Sequence, residues 1–139
     1  MILCRLIYVS TIPDHCDSAD MDNILNTSRR NNQSSHLSGL LSFNKKYFLQ
    51  CLEGSREEVN KTYRRIQKDN RHSNVTIIYY KEVNCREFGD WSMGHVPPSY
   101  LSALLTLQFS STDEFNPYQM SGESAYLLLL ELKQDLPSV

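Results

Sequence analysis

The sequence lacks any apolar run long enough to cross a bilayer, any marked excess of one charge sign, any C-x-x-C pair and any glycine-rich loop after its first apolar segment. Each absence excludes a class. A spanning helix needs roughly 20 consecutive apolar residues, and the start Met1-Ile2-Leu3-Cys4-Arg5 has neither the basic opening nor the small-residue cleavage site of a secretory leader. Fourteen Lys and Arg against 16 Asp and Glu leave a net charge of -2, so no global field draws the chain to nucleic acid or an anionic membrane. The four cysteines, Cys4, Cys16, Cys51 and Cys85, are widely spaced, which fits reduced thiols of a cytoplasmic domain better than a disulfide framework. His15-Cys16 has no second ligand pair at zinc-site spacing, so no metal is expected.

What the chain does have is periodicity. Its 139 residues allow one main domain and a modest extension. Over residues 2–10, Ile2, Cys4, Leu6 and Tyr8 share one side while Leu3, Ile7 and Val9 share the other, interrupted only by Arg5, as in a covered strand. Pro13 ends the run, and Ser18 is placed to cap a helix whose stripe, Met21, Ile24, Leu25 and Ser28, continues into Asn31 and Asn32. Residues 39–43 and 47–53 flank the polar turn Asn44-Lys45-Lys46 as a hairpin. Ser55 and Glu58 then form a capping-box pattern ahead of a helix carrying Val59, Thr62, Tyr63 and Ile66.

Residues 75–83 read as a β-branched and aromatic strand, and residues 88–96 as a weaker one that alternates Trp91, Met93 and His95 onto one side. The order β-α-β-β-α-β with one further strand predicts an α+β, ferredoxin-like sheet bearing two helices on one face. That unit is expected to span residues 1–97. Residues 98–139 form a C-terminal extension with helices over 99–109 and 121–134. Leu127, Leu128, Leu129, Leu130 and Leu132 are too apolar for a solvated helix, which should dock on the sheet's other face or on another subunit.

Gln50 is the most informative single residue, because it sits inside the apolar run Tyr47-Phe48-Leu49-Gln50-Cys51-Leu52. An amide buried without partners costs a few kcal/mol, so protein or ligand must meet it. Tyr8 and the Asn31-Asn32 pair offer polar groups at other core-like positions, and together these point to a bound planar molecule.

Tyr8, Asn31-Asn32, Gln50 within Phe48-Leu49-Gln50-Cys51-Leu52-Glu53-Gly54, Trp91-Ser92-Met93 and the basic cluster over residues 64–72 stand in one order. In these the chain resembles the BLUF family, sensors of blue light that use FAD, over residues 2–96. Residues 99–134 resemble the two-helix tail of short, stand-alone BLUF proteins. The resemblance implies a non-enzymatic photoreceptor with FAD between its two helices. It implies photoactive roles for Tyr8, Gln50, Trp91 and Met93, and flavin contacts from Ile24, Ser28, Asn31, Asn32, Leu41, Phe48, Gln50, Arg65, Ile66, Asp69, Arg71 and His72. Helix-end cations such as Lys68 or His72 are expected near the phosphates, and Trp91 is expected to compete with Tyr8 as electron donor. With no catalytic domain in the sequence, signalling is expected through a homo-oligomer or a downstream protein bound in a light-dependent way.

Two other readings fit the fold. An acylphosphatase-like enzyme would use Arg5 or Arg65 with Asn32, but Ser10-Thr11-Ile12-Pro13 stands where a phosphate-cradling loop belongs. An RNA-recognition module would use strand aromatics such as Tyr47 and Phe48, but its glycine-aromatic signature is absent.

Overall fold

Strand alternation in the first apolar segment sets up both cores of the molecule. The computed structural model describes residues 2–136, so residue 1 and residues 137–139, the outer ends of the two expected segments, lie outside the described residues. The chain runs β1 (Leu3–Thr11), α1 (Ser18–Ser35), β2 (Ser38–Phe43), β3 (Tyr47–Ser55), α2 (Arg56–Lys68), β4 (Ser73–Val83), β5 (Gly94–Val96), α3 (Ala103–Phe109) and α4 (Gly122–Lys133). Short 3-10 turns at Pro98–Tyr100 and Pro117–Gln119 flank α3. The five strands form one sheet in the order β4-β1-β3-β2-β5, antiparallel except where β5 runs parallel to β2. This is the α+β ferredoxin-like arrangement expected from the element order.

The two faces of β1 supply separate cores. Leu6 and Tyr8 pack with Val59 and Tyr63 of α2. Beside them Met21, Ile24 and Leu25 of α1 pack on Leu41, Phe48, Leu52 and Met93. On the opposite face Ile7, Val9, Leu40, Leu49 and Cys51 meet Ala125, Leu128, Leu129 and Leu132 of α4. The leucine-rich helix therefore docks on its own sheet, the first of the two arrangements its composition allowed. Each fully buried leucine there contributes about 1.5–3 kcal/mol.

Local chemistry accounts for most boundaries. Asp17, one residue before the expected Ser18, caps α1: its carboxylate accepts from Asp20 N at 3.0 Å while Asp20 accepts from Asp17 N at 3.0 Å. Ser55 caps α2 by accepting from Glu58 N at 3.3 Å. The last strand is shorter than its residues suggested, only Gly94–Val96. Residues 84–93 turn instead of extending, so period-2 alternation does not apply to them. Trp91 consequently lies on the α4 face and Met93 on the α1 face, correcting the expectation that both share one side with His95. The helix expected from residue 99 begins at Ala103, capped by Ser102, because Pro98 starts a 3-10 turn first.

One charge pair is sealed inside the molecule. Arg5 Nε donates to Glu53 Oε2 at 2.8 Å, and the Glu53 carboxylate also accepts from Glu87 N and Phe88 N. The Arg5 guanidinium lies 4.6 Å from the centre of the Tyr126 ring on α4. Arg86 donates to His36 O, Ser38 Oγ and Glu53 O, tying the segment before Trp91 to β2, β3 and the end of α1.

Candidate functional site

The helices α1 and α2 stand apart over the middle of the sheet and leave a cleft of about 210 Å³ between them. Its floor is Tyr8 of β1 with Gln50 and Leu52 of β3. One wall is the α1 stripe Ile24, Thr27, Ser28, Asn31 and Asn32, and the other is Thr62, Arg65 and Ile66 of α2. Asp69, Arg71 and His72, just past the end of α2, close the rim.

Antiparallel pairing places Tyr8 directly opposite Gln50. The Tyr8 hydroxyl donates to Gln50 Oε1, and Gln50 Nε2 donates to Met93 Sδ at 3.3 Å. The amide thus has a strong donor at its carbonyl end and a weak thioether acceptor at its nitrogen end. Tyr8 is wholly buried, and burial pushes its phenol well above the ordinary value, so the hydroxyl keeps its proton. Asn32, 1 % exposed, donates from Nδ2 to Ser92 O at 2.6 Å, which leaves its carbonyl oxygen out of that bond.

The rim is charged. Arg71 grips Asp69 through Nε and Nη2 at 2.7–3.2 Å, and this hydrogen-bonded partner holds the Asp69 carboxyl below its usual value. Arg65 Nη2 donates to Thr62 Oγ1 at 3.1 Å. His72 behaves otherwise: it is buried, its Nδ1 shares a 2.8 Å hydrogen bond with Ser10 Oγ, and burial pushes its pKa down to about 4. The imidazole packs against Tyr8 and Phe48 at the cleft rim.

Of the residues expected at the site, Tyr8, Ile24, Ser28, Asn31, Asn32, Gln50, Arg65, Ile66, Asp69, Arg71 and His72 all line this one cleft. Leu41 and Phe48 do not line it. Both are fully buried and pack with Ile24 and Leu52. Trp91, 5 % exposed, packs with the α4 core, and the cleft lining does not include Lys68. Arg5, cast beside Asn32 in the phosphatase reading, is spent on Glu53 across the sheet. Thr27, Leu52 and Thr62 join the lining without having been singled out, because small polar or ordinary core residues carry no distinctive sequence signal.

A flat ligand with apolar faces and a polar edge matches this donor set: Ile24 and Ile66 for the faces, amides of Asn31, Asn32 and Gln50 for the edge, and arginines at the open rim for an anionic tail. The fold and site together define a small ligand-holding sensor domain whose central polar contact is a phenol and an amide. The family profile "BLUF: Sensors of blue-light using FAD" matches residues 3–94, and the chain belongs to that family. An isoalloxazine ring has the shape and edge chemistry just described, so the residues present fit FAD.

The "Blue light- and temperature-regulated antirepressor BluF" of Escherichia coli (strain K12) is 35% identical over 92 residues, covering 66% of this chain and 23% of that protein. The chain thus spans under a quarter of that relative's length. Among solved structures, "BlsA photo-activated state" superposes with a TM-score of 0.86 at 27% identity, covering 99% of this chain and 98% of that one. "BlrB - a BLUF protein, dark state structure" does so with a TM-score of 0.81 at 26% identity, covering 95% of each chain. No described helix is long and apolar enough to cross a membrane.

Proposed function

We propose that this chain is a non-enzymatic, cytoplasmic blue-light switch in which residues 1–97 hold FAD and residues 98–139 carry the output. The observation that supports it best is the hydrogen-bonded Tyr8–Gln50 pair on the floor of a cleft lined by amides. Asn31, Asn32 and Gln50 hold the ring edge, Ile24 and Ile66 cover its faces, and Arg65, Asp69 and Arg71 border the rest of the cofactor.

Bound and excited by blue light, the flavin supplies a strong oxidant. Tyr8 then gives up an electron, which a buried phenol does readily only when its proton leaves as well. The Gln50 amide takes part in that proton movement because it accepts at one end and donates at the other. When the electron returns, the proton returns to the Tyr8 oxygen, and the amide is left rotated or in its other tautomer. No covalent bond to the cofactor forms. The changed hydrogen-bond pattern is worth on the order of 1 kcal/mol in a buried site, enough to bias a strand or an interface.

The output is a change in association, with itself or with a downstream protein. Exposed apolar side chains on the extension, Leu104 at 83% and Leu107 at 52%, support this. The antirepressor activity named for the relative BluF is one form such an output takes. The test is colour: purified protein mixed with FAD should turn yellow and show a small, reversible red shift of the flavin bands under blue light. A protein that remains colourless, or whose bands do not move, would overturn the reading.

A further inference from the structure

Three successive carbonyls, those of Trp91, Ser92 and Met93, are held from outside the local chain. Trp91 O accepts from Gly39 N at 3.1 Å, Ser92 O from Asn32 Nδ2 at 2.6 Å and Met93 O from Arg29 Nε at 3.0 Å. The segment needs such support because it turns before β5 begins at Gly94 and has no strand ladder of its own. A buried carbonyl in a turn must find a donor elsewhere. Gly94 allows the tight approach, since a Cβ there would press on Leu40 and on the Trp91 ring.

We propose that Arg29 is a positioning residue for the photoactive glutamine. By fixing the Met93 backbone it sets the thioether against Gln50 Nε2, and so selects the dark orientation of the amide. The contact it governs is weak and therefore sensitive to placement: a thioether is a poor acceptor, and its sulfur sits 3.3 Å from Gln50 Nε2 on a flexible side chain. A shift of a few tenths of an ångström in the Met93 backbone weakens that bond while leaving the Tyr8–Gln50 bond intact.

Arg29 is separable from cofactor binding where Asn32 is not. Asn32 lines the cleft, so its loss removes a wall together with the grip on Ser92. Arg29 is half-buried on a neighbouring turn of α1 and lines no part of the cleft. Its charge also faces His95 on β5, whose pKa is lowered first by burial and then by this guanidinium. The contact that Arg29 makes with this segment is therefore the one to the Met93 carbonyl.

The inference rests on the light-sensing reading, and the experiment separates the two. Arg29→Met and Arg29→Lys are compared with the unsubstituted protein, each loaded with FAD, by the ε-methyl NMR signal of Met93 in the dark and by thermal recovery after blue light. The Met variant should stay yellow, move or broaden the Met93 methyl signal, and change the recovery rate at least threefold. The Lys variant, which restores a cationic donor, should bring both back toward the unsubstituted values. An unmoved Met93 signal, or recovery within twofold in the Met variant, overturns the positioning role. If the unsubstituted protein itself shows no red shift, the light-sensing reading fails, and the Met93 signal alone then decides whether Arg29 positions that side chain.

Discussion

Tyr8 and Gln50 face each other across the antiparallel β1–β3 ladder, and the buried phenol donates a hydrogen bond to the amide carbonyl. Tyr8→Phe deletes the donor, leaves Gln50 Oε1 unpaired and should cost about 1–3 kcal/mol. It should keep FAD in place, because the ring's other contacts are untouched, and abolish the red shift. Urea unfolding and a light-minus-dark absorption spectrum check the two parts, and a normal photocycle in this variant would remove the phenol from the mechanism.

The buried Arg5–Glu53 pair carries a separate prediction. Both carboxylate oxygens are used, and Arg5 also stacks on Tyr126, so removing one partner strands a charge. Glu53→Leu should destabilise the protein by about 3–5 kcal/mol, and the double change Arg5→Met with Glu53→Leu should recover much of that loss. Chemical denaturation of the single and double variants measures this. A single variant within about 1 kcal/mol of the parent would show that the pair matters little.

Acid should weaken the fold through His72. Its pKa is about 4 in the native state against an ordinary 6.5, so between these values the unfolded chain binds a proton that the folded one does not. Stability is therefore level above pH 6.5 and falls as pH drops toward 4, by up to about 3 kcal/mol from this group. Asp69 acts in the same direction, since its lowered pKa adds stability that is lost as pH falls further. Replacing His72 with Gln should flatten the first part of the curve, and an unchanged slope would assign it to other groups.

The extension should carry the assembly signal without touching the photochemistry. Leu104→Glu with Leu107→Glu alters two exposed side chains that are not part of the cleft lining. The doubly substituted protein should keep its red shift and lose any light-dependent change in mass by light scattering. An identical mass change in parent and variant would place the output elsewhere.

Element order and the cleft were legible in the sequence because each rests on a local signal. Alternation separated Leu6 and Tyr8 from Ile7 and Val9, the α1 stripe ended in Asn31 and Asn32, and Gln50 stood out as an amide in an apolar strand. Residues 88–93 differ from the strand expected of them because alternating Trp91, Met93 and His95 resemble a strand pattern where the chain in fact turns. What shapes them is the long-range grip of Arg86, Glu53, Asn32 and Arg29, which no local pattern announces. Arg5 looked like an interruption for the same reason. Its meaning depends on facing Glu53 across the β1–β3 register, 48 residues along the chain. The burial of His72 is likewise invisible in composition.

The central claim is that a reorienting Gln50 amide carries the light signal, and Gln50→Leu tests it most directly. Leucine keeps the bulk of the side chain and removes both hydrogen-bonding ends. The account predicts a yellow, FAD-loaded protein whose absorption bands stay fixed under blue light at an intensity that shifts the parent. A reversible red shift of normal size in the Gln50→Leu protein would contradict it.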